Sequence, residues 1–168
     1  MALSYSDWTK RISNRSDISG MVTHLTKPKR NNLSNLDECE INQLAIDNLI
    51  SILKEQKIKG SVTRKGFIVG DKPAVCLQDA PLYGIIQNVE YEMQFRKEKG
   101  FSKLRYCGIG LTFGKPYIYS KGGRPVIYDE SHIAKRYLPK DEHWRIVRYN
   151  INFMDESQTH VDWTHERE

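Results

Sequence analysis

The hydrophobic pattern begins with a short β-prone segment. Residues 21–26 are rich in valine, threonine and leucine, and the segment stops at Lys27-Pro28, where proline disfavours continuation. These residues predict a first strand.

A helical pattern follows this strand. Asn35 is a suitable N-cap, with Glu38 three residues later to complete a capping box. Apolar residues then recur at helical spacing, and Gly60 follows as a stop signal. We expect an amphipathic helix over residues 38–58, with a core face that includes Leu49, Ile52 and Leu53.

The middle of the chain predicts two β-prone pieces and a second helix. Residues 61–69 and 74–77 are separated by a turn sequence at residues 70–73. Asp79-Ala80-Pro81 opens a helix that ends at Gly100. Its apolar stripe consists of Leu82, Ile85, Ile86, Val89 and Met93.

Period-two patterns dominate the rest of the chain. One face of a predicted strand carries Arg105, Cys107, Ile109, Leu111 and Phe113. Gly108 and Gly110 inside this strand indicate a bulge or close packing. Residues 117–119 and 125–128 flank Ser120-Lys121-Gly122-Gly123-Arg124, which predicts either a hairpin or a tight glycine-containing loop. Residues 144–151 and 161–168 predict two last strands.

This order of elements predicts one α+β domain with a mostly antiparallel sheet and two main helices. We divide it into a basic N-terminal segment, residues 1–20, and a body, residues 21–168. The chain stops at Glu168 in mid-pattern, which fits either a natural end or an unfinished final strand.

Composition narrows the class of protein. The 168 residues are 39% hydrophobic and 28% charged, which is ordinary for a globular domain and excludes a disordered or collagen-like chain. No apolar run approaches the roughly 20 residues of a membrane span, and the N-terminus lacks the plan of a signal peptide. We therefore expect a cytoplasmic protein without a membrane partner, and reduced, buried thiols at Cys39, Cys76 and Cys107.

The net charge of +5 is concentrated near the N-terminus. Residues 1–30 hold six Lys or Arg against two Asp, and the rest of the chain holds 20 basic residues against 19 acidic ones. This N-terminal edge could bind nucleic acid, although a solvated basic edge is common. Direct nucleic-acid binding without catalysis would need these charges to form one patch near exposed aromatics such as Tyr5 and Trp8.

Common catalytic and nucleotide motifs are missing from the sequence. His160 and His165 would lie on opposite faces of a strand, so we expect no metal site. His24 in the first strand is either a core histidine or a donor to a ligand hydroxyl. Glu166 and Glu168 would share one strand face, either as exposed terminal charges or as functional carboxylates.

Four segments resemble the AbiGi-type abortive-phage-resistance family, over most of the chain after Ser16. They are VCLQDAP (75–81), GGRPVIY (122–128), WRIVR (144–148) and DWTHERE (162–168). This resemblance implies phage defence or a toxin–antitoxin setting.

Shorter motifs resemble DarT-type ADP-ribosyltransferases. They are THL (23–25), IDNLISIL (46–53) and, more loosely, DAPLY (79–83). This resemblance implies an ADP-ribosyltransferase-like fold that binds NAD as substrate in the cleft of a split antiparallel sheet. A late glutamate in such enzymes engages the nicotinamide ribose, where a carboxylate favours the developing positive charge.

The DarT resemblance also implies roles for individual residues. His24 would hold an NAD ribose hydroxyl with support from Thr23, and Tyr83 would stack near the nicotinamide, although an aromatic on an apolar helical stripe is more often in the core. Glu168 would be the catalytic carboxylate, with Glu166 as the alternative on the same face. The aromatic residue that the family pattern places after this glutamate is absent, because the sequence ends there.

Arg64 and Arg105 are candidates for contact with the pyrophosphate, because guanidinium groups match phosphate geometry. The sequence thus favours an NAD-dependent ADP-ribosyltransferase in phage defence, acting on nucleic acid. The alternative is a non-catalytic antitoxin or adaptor that binds a partner toxin, and the two differ in whether His24, Tyr83 and Glu168 converge on one cleft.

Overall fold

The computed structural model describes residues 3–29, 32–61, 68–100, 104–151 and 160–166. Arg64 and Glu168 lie outside the described residues. The chain divides into two compact units, the first comprising Met1–Ile58 and Leu77–Tyr117 and the second comprising Lys59–Cys76 and Ile118–Glu168. The single domain expected from the sequence stays a prediction.

The first unit contains an antiparallel pair of strands, β1 (Met21–Leu25) and β2 (Gly110–Gly114). The register places Thr23 opposite Thr112 and Leu25 opposite Gly110. A side chain at Gly110 would run into the carbonyl oxygen of His24. Glycine at position 110 therefore allows the close approach of the two strands. The first strand predicted from the sequence is confirmed as β1.

The other edge of β1 is also paired. Thr23 and Gln78 exchange two backbone hydrogen bonds of 2.9 and 2.8 Å in an isolated antiparallel bridge. Just past the end of β1, the Thr26 amide donates to the Ile109 carbonyl at 2.7 Å. β1 is therefore held on both sides.

Three helices complete the elements of the first unit: α1 (Tyr5–Ser13), α2 (Glu38–Glu55) and α3 (Leu82–Lys99). The two long predicted helices, α2 and α3, are confirmed. The cap of α2 differs from the expected one, because Asp37 accepts from the Glu40 amide and the Glu40 side chain accepts from the Asp37 amide. Aspartate is a good N-cap acceptor, so this box forms two residues later than the predicted one.

The core of the first unit lies against the N-terminal half of α2. Ile41 and Ala45 are fully buried, in a cluster with Leu33, Leu104 and Cys107. The expected core face of α2 is wrong at its C-terminal end, because Leu53 is 56% exposed. The buried residues of α2, Ile41 and Ala45, lie in its N-terminal half, so the buried stripe ends earlier than the apolar sequence does.

The longer segment of the second unit begins at Ile118, inside a short helix, α4 (Lys115–Ser120). It continues through β3 (Ile127–Asp129), α5 (Ser131–Tyr137), a 3-10 helix (Lys140–Arg145) and β4 (Ile146–Arg148). A second 3-10 helix covers Thr164–Glu166. Ile146 on β4 and Ala134 on α5 are buried.

The pairing of β3 differs from the pairing expected from the sequence. Of the two alternatives for residues 117–128, the hairpin is wrong, since residues 117–119 belong to α4, where Pro116 occupies the first turn and fits helical geometry. A tight turn with Gly122 at a φ of 90° follows α4 instead. β3 pairs instead with β4, and the two strands are parallel, because α5 and the 3-10 helix carry the chain back between them.

Within its described part, the strand predicted over residues 161–168 is reduced to one antiparallel bridge, between Val161 and Asn150, and the prediction is wrong over residues 162–166. Asp162 accepts from the amide and the hydroxyl of Thr164, at 2.8 and 2.6 Å, and so turns the chain into the 3-10 helix. These local hydrogen bonds compete with strand pairing. The shared strand face expected for Glu166 and Glu168 therefore does not form at Glu166.

The fold is thus mixed α+β, with several helices, a small antiparallel two-stranded sheet in the first unit and a parallel pair in the second. A mostly antiparallel sheet is therefore confirmed only for the first unit. Within the described ranges, the structure holds no helix with the length and apolar character needed to cross a bilayer.

Candidate functional site

A cleft of about 430 Å³ lies in the first unit, between the β1–β2 pair and α3. Its floor is formed by Thr23 and Leu25 of β1, with Gly108 and, on β2, Gly110 and Thr112. Its wall is formed by five residues from successive turns of α3, namely Leu82, Ile85, Ile86, Val89 and Glu90.

The floor follows from strand geometry. Alternate residues of a strand point to the same face, and the register places Thr23 directly opposite Thr112. The two hydroxyl oxygens, Oγ1 of Thr23 and Oγ1 of Thr112, lie 3.1 Å apart and share a hydrogen bond. The cleft floor therefore carries a pair of joined hydroxyls.

The wall follows from helix geometry. The five α3 residues recur at spacings of three and four, which places them on one side of the helix. A Cβ at Gly108 would lie 3.5 Å from Cγ1 of Val89, in ordinary van der Waals contact. The missing side chain at Gly108 therefore keeps space open between the wall and the floor.

The chemistry of the cleft is mostly apolar. Four aliphatic side chains of α3 and Leu25 form its surface, and Thr23 and Thr112 supply hydroxyls. Glu90 is the charged residue among those that line it, and no Lys, Arg or His lines it among the described residues. Such a cleft suits a flat or apolar group that carries a hydrogen-bonding substituent.

Of the two predicted site residues on β1, one lines this cleft and the other does not. Thr23 lines it and is 7% exposed. His24 is the next residue of β1, opposite Leu111, and therefore belongs to the other face of the strand pair. Of the Thr-His pair, the structure brings only Thr23 to the cleft.

Tyr83 and Arg105 also belong to the first unit but do not line the cleft. Tyr83 lies on α3 beside the cleft wall and is 52% exposed. Arg105 Nε lies 3.8 Å from Oε1 of Glu92, on the same helix. The guanidinium of Arg105 is thus engaged by a carboxylate rather than presented to the cleft.

Glu166 belongs to the second unit. It ends the 3-10 helix and is 9% exposed, with Oε1 3.9 Å from Nε2 of His165. Nearby, the hydrogen bonds from Thr164 lower the pKa of the Asp162 carboxyl below its usual value. Glu166 is therefore a largely buried carboxylate and not an exposed terminal charge.

Glu90 and Thr112 line the cleft although neither is among the site residues expected from the sequence. A usable signal existed for the floor, because Gly108, Gly110 and Thr112 form a period-two run of small residues opposite the apolar row. Glu90 had no such signal, since a glutamate beside an apolar stripe is usual on a surface helix.

Gln78 is a second polar group that the sequence did not mark. It is 5% exposed, and its side-chain Oε1 is buried without a hydrogen-bond partner in the described part of the chain. Its backbone pairs with Thr23, so it holds the strand that carries the cleft floor.

Comparison with protein-family models, with curated proteins and with solved structures finds no match to this chain.

Proposed function

We propose that the protein is an NAD-dependent ADP-ribosyltransferase-like enzyme of phage defence, and that the cleft of the first unit binds the nicotinamide–ribose end of NAD. One observation carries the proposal. Thr23, on the strand that resembles the DarT motif, lines a cleft between a strand pair and a helix.

The chemistry of the cleft supports this ligand. Its volume of about 430 Å³ is within the roughly 300–1,000 Å³ usual for small-molecule sites. The aliphatic wall of α3 suits the flat nicotinamide ring. The hydroxyls of Thr23 and Thr112 suit a ribose hydroxyl or the carboxamide, both of which form hydrogen bonds.

The proposal also places the phosphates outside this cleft. A pyrophosphate favours Arg, Lys or backbone amides, and no basic residue lines the cleft within the described ranges. Only one end of the dinucleotide is therefore assigned to it.

The acceptor belongs to the same proposal, as nucleic acid. Tyr5 and Trp8 on α1 are 75% and 53% exposed, and the guanidinium of Arg11 lies 5.9 Å from the centre of the Trp8 ring. Exposed aromatics beside basic residues favour stacking of unpaired bases. These contacts support the basic N-terminal segment as the acceptor side.

A non-catalytic antitoxin or adaptor is the second candidate, and the surface of α3 favours it. Leu82 is 69% exposed and Ile86 48%, with Tyr83 and Tyr91 also exposed on the same helix. Apolar side chains in such a cluster are typical of a surface that a partner protein covers. If the protein is such an adaptor, the toxin partner would bind to the exposed apolar side chains of α3.

Ligand binding separates the two candidates. NAD at 100 times its dissociation constant adds about 2.7 kcal/mol of stability, which corresponds to roughly 5–10 °C in the melting temperature of a chain this long. Thr112→Val and Thr23→Val should each weaken NAD about tenfold, the value of one hydrogen bond. Thr9→Val, on the exposed surface of α1, is the matched control and should bind as the wild type does.

Nicotinamide release completes the test. Incubation with NAD and single-stranded nucleic acid should give free nicotinamide by chromatography, and Thr112→Val should reduce it. Absence of both NAD binding and nicotinamide release would reject the enzyme and favour the adaptor. NAD binding that neither valine variant changes would place the site elsewhere.

A further inference from the structure

We propose that the cleft of the first unit selects a ring that carries a positive charge, and that Glu90 supplies the opposing charge. The proposal deepens the proposed function, on which it rests for the identity of the ligand. In NAD+ the charged group is the quaternised nicotinamide ring.

The position of Glu90 is the first argument. It follows Val89 directly and comes four residues after Ile86, so it lies beside the aliphatic wall of the cleft. A ring that packs against this wall would be adjacent to a carboxylate at one edge.

The charges around the cleft are the second argument. No basic side chain is among its described lining residues. Glu92, the acidic residue nearest to Glu90 in the sequence of α3, forms an ion pair with Arg105. Asp79, just before α3, forms an ion pair with Lys115 at 2.7 Å. No such ion pair joins Glu90 to another described residue, so its charge is not neutralised in this way.

The apolar wall is the third argument. A cation that leaves water for an aliphatic surface loses hydration and binds poorly unless an opposite charge compensates for that loss. A carboxylate at the edge of the cleft provides the compensation for a cationic ring and provides nothing for a neutral one. Because Glu90 is exposed, water and salt moderate this preference, and we expect about a tenfold difference in affinity.

Two pairs of probes isolate the ring charge. 1-Methylnicotinamide is a cation, whereas nicotinamide is neutral and nearly the same shape. NAD+ has the charged ring, whereas NADH has an uncharged one. Wild-type protein should bind the charged member of each pair about tenfold more tightly, as measured by titration calorimetry at low ionic strength.

Glu90→Gln is the decisive variant. It should abolish the preference within both pairs and leave binding of the neutral members unchanged. Glu98→Gln is the matched control, because Glu98 is exposed on the same helix and does not line the cleft. It should keep the preference of the wild type.

The outcomes distinguish this inference from the function on which it rests. NAD+ binding with an undiminished preference in Glu90→Gln would overturn the role of Glu90 and leave the enzyme proposal standing. Binding of 1-methylnicotinamide that depends on Glu90, without binding of NAD+, would uphold the cation site and reject the enzyme. Failure of both cations to bind would overturn both proposals.

Discussion

Replacing Ile41 by alanine tests the packing of α2 most directly. Ile41 is fully buried beside Ala45, Leu33 and Leu104. The Ile41→Ala variant removes three carbon atoms from this cluster, while the capping box of α2 at Asp37 stays intact. The variant therefore changes the core without changing the start of the helix.

The expected loss of stability follows from this burial. Each buried methylene-sized group contributes about 0.8 kcal/mol, so three give about 2.4 kcal/mol. The cavity that remains adds to this value, and the higher helix propensity of alanine offsets a few tenths of a kcal/mol. We expect Ile41→Ala to lose about 3 kcal/mol.

Leu53→Ala is the control on the same helix. Leu53 is 56% exposed, so truncation removes little buried surface and should cost less than about 1 kcal/mol. The two variants shorten aliphatic side chains of equal size, and they differ in burial.

Urea unfolding followed by far-UV circular dichroism at 25 °C measures both losses. With a slope of about 2 kcal/mol/M, the Ile41→Ala midpoint should fall by about 1.5 M and the Leu53→Ala midpoint by less than about 0.5 M. Equal losses in the two variants, or a loss below about 1 kcal/mol at Ile41, would show that α2 buries a different face.

Two further predictions concern the backbone and the thiols. Gln56 has a left-handed φ of 50° at the C-cap of α2, so Gln56→Gly should stabilise the protein by about 0.5–1 kcal/mol in urea unfolding, and a destabilised variant would contradict that conformation. Burial raises the pKa of the Cys107 thiol to about 11 from 9.0. The Cys107 thiol therefore loses its proton at a lower pH in the unfolded chain than in the folded one. Its contribution to the free energy of unfolding is complete below pH 9 and is lost as pH rises to 11, by an amount on the order of 2 kcal/mol. Cys107→Ala should show a correspondingly shallower fall in urea midpoint between pH 9 and 11, and identical pH profiles would mean that the thiol is not buried in the folded state.

The elements predicted correctly are those with local signals. The apolar spacing of α2 and α3 and the stop at Gly100 lie within one stretch of sequence, and the strand β1 ends before Pro28. Such signals act over a few residues and need no knowledge of the rest of the fold.

The elements that were wrong depend on distant partners or on side-chain competition. The pairing of β3 with β4 joins residues separated by α5, and no local pattern distinguishes this from a hairpin. At Asp162, two hydrogen bonds to Thr164 replace strand pairing with a turn of helix. Neither outcome follows from β propensity alone.

The cleft was predictable only in part for the same reason. Thr23 was named through a family resemblance, but its pairing with Thr112 depends on a register across 89 positions of sequence. That register also decides that His24 belongs to the opposite face. Glu90 becomes a cleft residue only because α3 packs beside the strands, and this packing is not visible in the sequence.

The two threonine hydroxyls at the cleft floor carry two hydrogens between them. The 3.1 Å hydrogen bond between their oxygens uses one of these hydrogens, so one O–H is always left over. Either oxygen can be the donor, and reversing the bond moves no heavy atom. The leftover O–H can therefore come from either strand, and the oxygens keep lone pairs that accept. Such a pair accommodates a hydroxyl and a carbonyl equally well, and discrimination between ligands falls to the shape of the aliphatic wall and the charge at its edge.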